Sequence, residues 1–353
     1  MSIPSHPRIA IVGATGAVGV EMLQLLASRG TPAKSVTAFA STRSAGKTLD
    51  IAGRAHRVEE FKGSLRGFDV ALYSAGSGIA KETAPEAVRD GCWVIDNSSA
   101  FRMSEGVALT VPEVNPDSLA AARLGPAIIA NPNCSTIIML MAVTPIRAAF
   151  GVRRIVVSTY QAASGAGASA MDELVSQTRG YLAGDEPAPR IFPEPCAFNV
   201  FSHNSKTDPV TGRNVEEQKM TDETRKIWGD PGVRVSATCV RVPVLRAHAE
   251  SINIELERPA SVAEVYEVLK RAPGVSIIDD REPGRFPTSR KASGKDDVLV
   301  GRVRGDESME VLPGAARGAE KHRAINLFAV GDQIRKGAAL NAVQILESLL
   351  RGV

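Results

Sequence analysis

The chain reads as an α/β protein in two parts: a doubly wound parallel sheet up to about residue 132, then an α+β domain on a mixed sheet. Three observations predict this. At 353 residues the chain exceeds the length at which a single core usually keeps growing. Short apolar strand patterns alternate with helix patterns through the first part. From Arg234 onward the strand patterns lengthen and follow one another, with a single helix pattern among them.

Arg8–Val12 is a short buried-strand pattern, followed at once by Gly13-Ala14-Thr15-Gly16-Ala17-Val18-Gly19 and a helix pattern through Leu26. Glycines between a strand and a helix let the backbone approach a pyrophosphate, which then sits on the helix N-terminus. The spacing is GxxGxxG, looser than GxGxxG, but strand and helix stand where a Rossmann-type dinucleotide-binding turn needs them. Gly13, Thr15, Gly16, Ala17, Val18 and Gly19 would line it. A second strand, Ser35–Ala40, leads into Ser41-Thr42-Arg43-Ser44. NAD sites usually place an acidic residue near the end of this strand to hold the ribose 2′-hydroxyl; this strand has none. Ser41, Arg43 and Ser44 suit a 2′-phosphate instead, so NADP is the expected cofactor. Phe68–Tyr73 is another buried strand, and Ser74, Ala75 and Gly76 at its end permit close approach of a nucleotide. Trp93–Asp96 follows and opens into the polar stretch Asn97–Arg102.

The strand pattern Ala127–Ala130 then runs into Asn131-Pro132-Asn133-Cys134-Ser135-Thr136 and an apolar helix pattern, Ile137–Val143. A thiol at such a junction lies near a helix N-terminus, where unpaired N–H groups and the helix dipole favour a thiolate and a nearby oxyanion. A lone cysteine is more often a buried small hydrophobe; the residues downstream argue otherwise here. Arg154–Tyr160 is a β-branched strand ending in Gln161-Ala162-Ala163-Ser164-Gly165-Ala166-Gly167. A helix pattern at Ala170–Leu182 and a Pro- and Gly-rich loop come next. Strands are expected at Arg234–Val242, Glu250–Glu257, Val298–Arg304 and Ile325–Val330, with a helix at Val262–Arg271. Lys336–Leu350 closes the chain as an amphipathic helix pattern.

Composition narrows the function. A net charge of +3, with 42 basic residues scattered along the chain, disfavours nucleic acid as a partner. Cys92, Cys134, Cys196 and Cys239 lie far apart without CxxC spacing, so neither a metal site nor a disulfide scaffold is expected. A strand beginning at Arg8 leaves no room for a signal peptide, and the run Ile137–Val143 is too short to span a bilayer. A cytoplasmic, reducing compartment is expected, with no membrane partner.

Four stretches in order are specific: Asn131-Pro132-Asn133-Cys134-Ser135-Thr136, Gln161 to Gly167, Glu216-Glu217-Gln218-Lys219, and Arg241-Val242-Pro243-Val244-Leu245-Arg246-Ala247-His248. With the glycine turn and Lys336 to Ala342 they cover nearly the whole chain, which resembles the aspartate-semialdehyde dehydrogenase family. The resemblance implies reversible, NADP-dependent conversion of L-aspartate 4-semialdehyde and phosphate to L-4-aspartyl phosphate. In the cell this runs in reverse with NADPH, feeding lysine, threonine and methionine synthesis. It implies Cys134 as nucleophile, His248 as acid–base and Gln161 as the residue orienting the substrate carbonyl. Arg241 would grip the α-carboxylate and Glu216 the α-ammonium, with Arg102, Asn133 and Lys219 on phosphate. Ser164, Gly165 and Gln333 would meet the nicotinamide. The division implied is an NADP-binding domain, 1–132, rejoined by the C-terminal helix 336–353, and a catalytic and dimerisation domain, 133–335, forming a homodimer. Two positions depart from the family pattern: Ala247 stands where glycine is usual, and Gln333 follows Asp332 where asparagine is frequent.

Histidine suits acid–base work because its ordinary pKa lies near neutrality. The other four histidines, His6, His56, His203 and His322, are read as core or surface residues. Glu216 and Lys219, three apart, could be a surface ion pair, and Arg102 a solvated loop charge. N-acetyl-glutamyl-phosphate reductase shares the glycine turn and the cysteine chemistry, but its blocked amine has no need of Glu216. Glyceraldehyde-3-phosphate dehydrogenase is more distant, with its own cysteine motif. A non-catalytic dinucleotide sensor would be expected to lose Cys134 or His248, and both are present.

Overall fold

A computed structural model describes residues 3–186, 188–316 and 318–351. The chain divides into two compact units, Met1–Asn133 with Gly337–Val353, and Cys134–Lys336. Residues 352 and 353 of the expected C-terminal helix lie outside the described residues.

The first unit is built on an eight-stranded sheet. In chain order come β1 (Arg8–Val12), α1 (Ala17–Ser28), β2 (Ser35–Ala40), β3 (Thr48–Ile51), β4 (Arg54–Glu60) and β5 (Val70–Tyr73). Then follow α2 (Ser77–Arg89), β6 (Trp93–Asp96), β7 (Ala108–Leu109) and β8 (Ile128–Ala130). The strand order is β3-β4-β2-β1-β5-β6-β8-β7, parallel throughout except for the hairpin β3–β4. Alternation along β1 explains the layers. Ile9 and Ile11 pack with Met22 and Leu25 of α1, while Ala10 and Val12 pack with Ala80, Ala84 and Ala87 of α2 on the other face. The hairpin was not foreseen. Its turn, Ala52–Gly53, takes positive φ at both residues, and its strands are charged and exposed apart from Ile51 and Val58.

The chain's last helix, α8 (Leu340–Leu350), belongs to this unit and follows a single π-turn at Arg335–Ala339. It buries Val343, Ile345 and Leu346 in the same core as α1, and Asn341 Nδ2 donates to Thr110 O at 2.9 Å and Asn131 Oδ1 at 2.6 Å.

The second unit opens with α3 (Cys134–Phe150), β9 (Val152–Gln161), α4 (Ala168–Ala183), β10 (Phe201–Ser202), α5 (Val215–Trp228) and β11 (Arg234–Arg241). It continues with β12 (His248–Ala260), α6 (Val262–Lys270), β13 (Val275–Ile277), α7 (Ser289–Ala292), β14 (Val298–Gly305), β15 (Val311–Leu312) and β16 (Lys321–Gly331). The sheet order is β10-β11-β9-β12-β16-β14-β13, with β15 on β16. β11–β9 and β13–β14 are parallel and the remaining pairs antiparallel, so the sheet is mixed. Helix α3 is apolar around its whole girth, with every residue from Ser135 to Val143 buried, as expected of a helix enclosed by its own unit. It continues through Pro145, which had concealed its second half, because proline removes a helix donor. No helix among the described residues is long and apolar enough to cross a membrane.

Leu346→Ala should cost about 2–5 kcal/mol of stability, because it opens a cavity where α8 meets the first unit's core. Urea denaturation checks this, and a loss within experimental error would mean that α8 is not part of that core.

Candidate active site

In the first unit the sheet order reverses between β1 and β5, the place where an open α/β sheet leaves a crevice for a nucleotide. Gly13 lies there with φ +92°, and a Cβ on it would stand 2.6 Å from Ser74 O. A Cβ on Gly19 would stand 2.3 Å from Gly13 O, so the turn and α1 close on each other as only glycine permits. Gly16 caps α1 without a side-chain bond, and Thr15 lies on the same turn, leaving the first turn at Ala17 and Val18 to an anion. Ala75 lies between Ser74 and Gly76, and Gly76, with φ +86°, starts α2. Ser41 to Ser44 form a turn closed by Ser44 N–H to Ser41 O at 2.8 Å, with Arg43 exposed. These residues fit the phosphates of a dinucleotide. The fold also brings up an acid that sequence order hid: Glu60 pairs with Ala40 in the sheet register and accepts from Thr42 Oγ1 at 2.7 Å. Arg102 is buried, not a solvated loop charge, and donates from Nη2 to Asn97 O at 2.9 Å. Asn133, the unit's last residue before Cys134, is buried too.

In the second unit Cys134 is the first residue of α3 and partly exposed, whereas Cys92, Cys196 and Cys239 are buried. Burial pushes those three thiols up, Cys92 to about 12, away from thiolate chemistry. Cys134 interacts electrostatically with the Arg241 guanidinium.

Strand register then assembles the rest. Gln161 ends β9, Arg241 ends β11 opposite it, and His248 begins β12. All three side chains are buried. Gln161 Nε2 donates to Ser135 Oγ at 2.7 Å and to Glu216 Oε1 at 3.2 Å. Both amide hydrogens therefore serve the protein, and the end left to meet another donor is Oε1. Glu216 sits in the first turn of α5, below a capping box of Asn214 and Glu217, where the helix dipole favours a carboxylate. Its Oε2 meets Lys219 Nζ at 3.1 Å; the ion pair exists, but Glu216 is buried in it and Lys219 half-buried.

His248 Nδ1 accepts the N–H of Ala162 at 3.0 Å. In the neutral ring Nε2 then carries the proton, so His248 offers an N–H donor. Burial first, and then the Arg241 charge, push its pKa down to about 3, with Glu216 pulling the other way. A Cβ on Gly165 would lie 3.1 Å from the His248 ring and 3.3 Å from Arg241 Nη1, so a side chain there would press both groups back by a few tenths of an ångström. The two departures from the family pattern meet: Ala247 holds φ +74°, and its N–H donates to Gln333 Oε1 at 2.8 Å. Gln333 Nε2 donates in turn to Ser164 Oγ.

Sequence reading missed Ser135 and His203. The imidazole of His203 is not a bystander in core or surface: its Nε2 lies 3.0 Å from Arg241 Nη2, and Glu216 and Lys219 act on it electrostatically. Nothing in its local sequence marks it, since the contact depends on β10 pairing with β11. Among the described residues no cluster of three or more His, Cys, Asp or Glu could hold a metal ion.

Gly165→Ala should lower kcat by about tenfold or more by displacing the His248 ring a few tenths of an ångström. Steady-state rates at unchanged melting temperature check it, and unaltered kcat would mean that the ring tolerates the shift. The NMR Cε1–H signal of His248 should show no midpoint near the ordinary 6.5. As pH falls below 6.5 the unfolded chain takes up a proton that this ring refuses until about 3, so the ring removes stability across that window. The slope is about 1.4 kcal/mol per pH unit. A midpoint near 6.5 would instead place the ring in solvent.

Comparison with known proteins follows the same division. Residues 8–122 match the family model described as semialdehyde dehydrogenase, NAD binding domain, and residues 143–336 the one described as semialdehyde dehydrogenase, dimerisation domain. The chain is 48% identical to an aspartate-semialdehyde dehydrogenase of Synechocystis sp., over 99% of this chain and 98% of that one. It is 43% identical to that of Bacillus subtilis, over 97% of each. The crystal structure of aspartate semialdehyde dehydrogenase II from Vibrio cholerae, complexed with ASA, matches with a TM-score of 0.89 at 43% identity, covering 98% of each chain. A two-part α/β chain with its thiol at a helix start, matched from end to end by such relatives, belongs to the aspartate-semialdehyde dehydrogenase family.

Proposed function

We propose that this chain interconverts L-aspartate 4-semialdehyde plus phosphate and L-4-aspartyl phosphate, working in the cell as the NADPH-dependent reductase of the acyl phosphate. The observation that carries this reading is a partly exposed thiol at a helix start, held in one unit with a buried guanidinium, a buried carboxylate and a neutral imidazole. A substrate bearing a carboxylate, an ammonium and a reactive carbonyl finds a counterpart for each.

The Cys134 thiolate adds to the aldehyde carbon, and the carbonyl electron pair moves onto oxygen. The Nε2–H of His248 and the N–H at the start of α3 are the donors for that oxyanion. As it collapses, the aldehyde hydrogen departs with its electron pair and a thioester remains on Cys134. NADP, when bound, supplies the acceptor for that hydride. Phosphate then attacks the thioester carbon and the thiolate leaves; the biosynthetic direction reverses each step. His248, expected as the acid–base residue, is held at Nδ1 by Ala162, so in the neutral ring its Nε2 enters as an N–H donor to the carbonyl oxygen and not as a proton acceptor. Arg241 takes the α-carboxylate and Glu216 the α-ammonium. Gln161, expected to orient the substrate carbonyl, has its amide hydrogens spent on Ser135 and Glu216. It meets substrate only through Oε1, an acceptor suited to a substrate N–H and not to the carbonyl oxygen. Arg102, Asn133 and Lys219 hold phosphate.

For the cofactor, Gly13, Thr15, Gly16, Ala17, Val18 and Gly19 take the pyrophosphate, with Ser74, Ala75 and Gly76 beside them. Ser41, Arg43 and Ser44 take the 2′-phosphate, and Ser164, Gly165 and Gln333 the nicotinamide. NADP is favoured because Arg43 is exposed on the turn after β2, and Glu60 already accepts from Thr42 at Oε1. The product serves lysine, diaminopimelate, threonine and methionine synthesis in the cytoplasm, where thiols stay reduced. Two copies pair through the second unit, whose sheet leaves Val156 and Tyr160 half-exposed on its open face.

Purified protein given NADP and phosphate should reduce the cofactor with aspartate semialdehyde and not with N-acetyl-glutamate semialdehyde, followed by NADPH absorbance. Preference for the acetylated substrate would move the chain to the reductase class instead. Cys134→Ala should abolish turnover while NADP still binds; retained phosphate-dependent activity would remove the nucleophile from the account. Arg43→Ala should weaken NADP by about tenfold or more and NAD little, as loss of a charge-assisted bond implies. Equal losses would place the 2′-phosphate elsewhere.

A further inference from the structure

Both Nη groups of Arg241 donate to the protein. Nη1 donates to Ala162 O at 2.6 Å and Gln161 O at 3.4 Å, and Nη2 to His203 Nε2 at 3.0 Å and Asn204 Oδ1 at 3.4 Å. The Phe192 ring lies against the guanidinium, 5.0 Å from centroid to Cζ. Its plane and its in-plane rotation are thus both set by neighbours.

The contact with His203 is the informative one. A guanidinium only donates, so Nε2 must accept, and a neutral ring then carries its proton on Nδ1. Nδ1 lies 3.1 Å from Ser205 Oγ and can donate to it. The N–H of Ser205 also comes within 3.2 Å of Nδ1 and would favour the other tautomer, but a charge-assisted bond outweighs a neutral one. Ser205 Oγ accepts in turn from the N–H of Glu216 at 3.2 Å. Three consecutive residues therefore hold Arg241 by a side chain and Glu216 by its backbone.

We propose that His203 is a positioning residue that fixes the spacing between Arg241 and Glu216, and through it the preference for a substrate carrying both a carboxylate and an ammonium. The inference rests on reading those two residues as the substrate's charge partners. It also explains why a histidine serves there. Lysine or arginine would set two cations against each other, and alanine would leave Nη2 short of an acceptor. Burial, together with Arg241 and Lys219 acting against Glu216, keeps the His203 pKa at about 4, so the acceptor persists through the neutral range.

The test is made on the full-length enzyme with His203→Leu and His203→Gln, alongside Arg241→Leu. Leucine removes the acceptor at similar volume, and glutamine returns an oxygen near the place of Nε2. His203→Leu should raise KM for aspartate semialdehyde about tenfold while kcat, KM for NADP and kcat/KM for propanal, which carries neither charge, stay within about threefold. His203→Gln should recover most of the KM. An unchanged KM in His203→Leu overturns the inference. So does a joint loss across both aldehydes and NADP, which marks a merely structural role. If Arg241→Leu raises KM and His203→Leu does not, only the role of His203 falls. If Arg241→Leu itself leaves KM unchanged, the reading of Arg241 falls, and the inference with it.

Discussion

The ladder of hydrogen bonds across β11, β9 and β12 is what the rest of the site stands on. Arg241 pairs with Gln161 in the parallel ladder, and Tyr160 pairs with Ala249 in the antiparallel one, so Gln161, Arg241 and His248 emerge together. Side chains alternate between faces, so a slip of one residue in either ladder would send one partner to the opposite side. What holds the register is the apolar stretch behind the polar ends. Ile155 and Val157 on β9, Val235 on β11, and Ile252 and Ile254 on β12 are all buried. Packing thus places the polar groups.

Such a cluster is tolerable only because each charge is answered. Buried charge without a partner costs far more than a paired one returns. Arg241 has four acceptors and an aromatic face. Glu216 has the Gln161 amide, the Lys219 ammonium and the start of α5. The two histidines respond the other way and give up their charge, for burial and the neighbouring cation both oppose protonation. The charges left in the cluster are those of Arg241 and of the Glu216–Lys219 pair.

Much of this was legible in the residues because local pattern and chemistry coincided. The strand–glycine–helix start announces itself by spacing, whereas Gln161, Arg241 and His248 were expected from motifs that resemble the family's. The failures have physical causes. Helix α2 was hidden by an alanine-rich buried face and an internal Pro85, which leave little periodic signal. The hairpin β3–β4 was hidden by its exposed, charged strands. Glu60 stands near the end of β2 only because β4 pairs with it, and His203 reaches Arg241 only through β10. Residues whose role depends on a non-local strand pairing leave no trace in their own neighbourhood. The family departure at Ala247 was visible, yet its meaning was not. Its left-handed backbone, which costs alanine roughly 1 kcal/mol, is held by a bond to the other departing residue, Gln333.

A second row of polar residues lies one step behind the first, and it shows how the field at the thiol is kept simple. Cys239, Thr159 and Glu250 are in register across the same three strands, on the buried face. Neither carboxyl oxygen of Glu250 has a hydrogen-bond partner among the described groups, and burial drives its pKa well above the ordinary value, which favours its protonated form. Burial likewise keeps Cys239 a thiol. Were Glu250 ionised, a negative charge roughly 7 Å along the strand from His248 would draw a proton onto that ring. An imidazolium there would oppose Arg241 and lose the bond that Nδ1 accepts from Ala162, and with it the orientation of Nε2. With the protonated forms of Glu250 and Cys239 favoured by burial, the second row adds no charge to the one that Arg241 brings to Cys134.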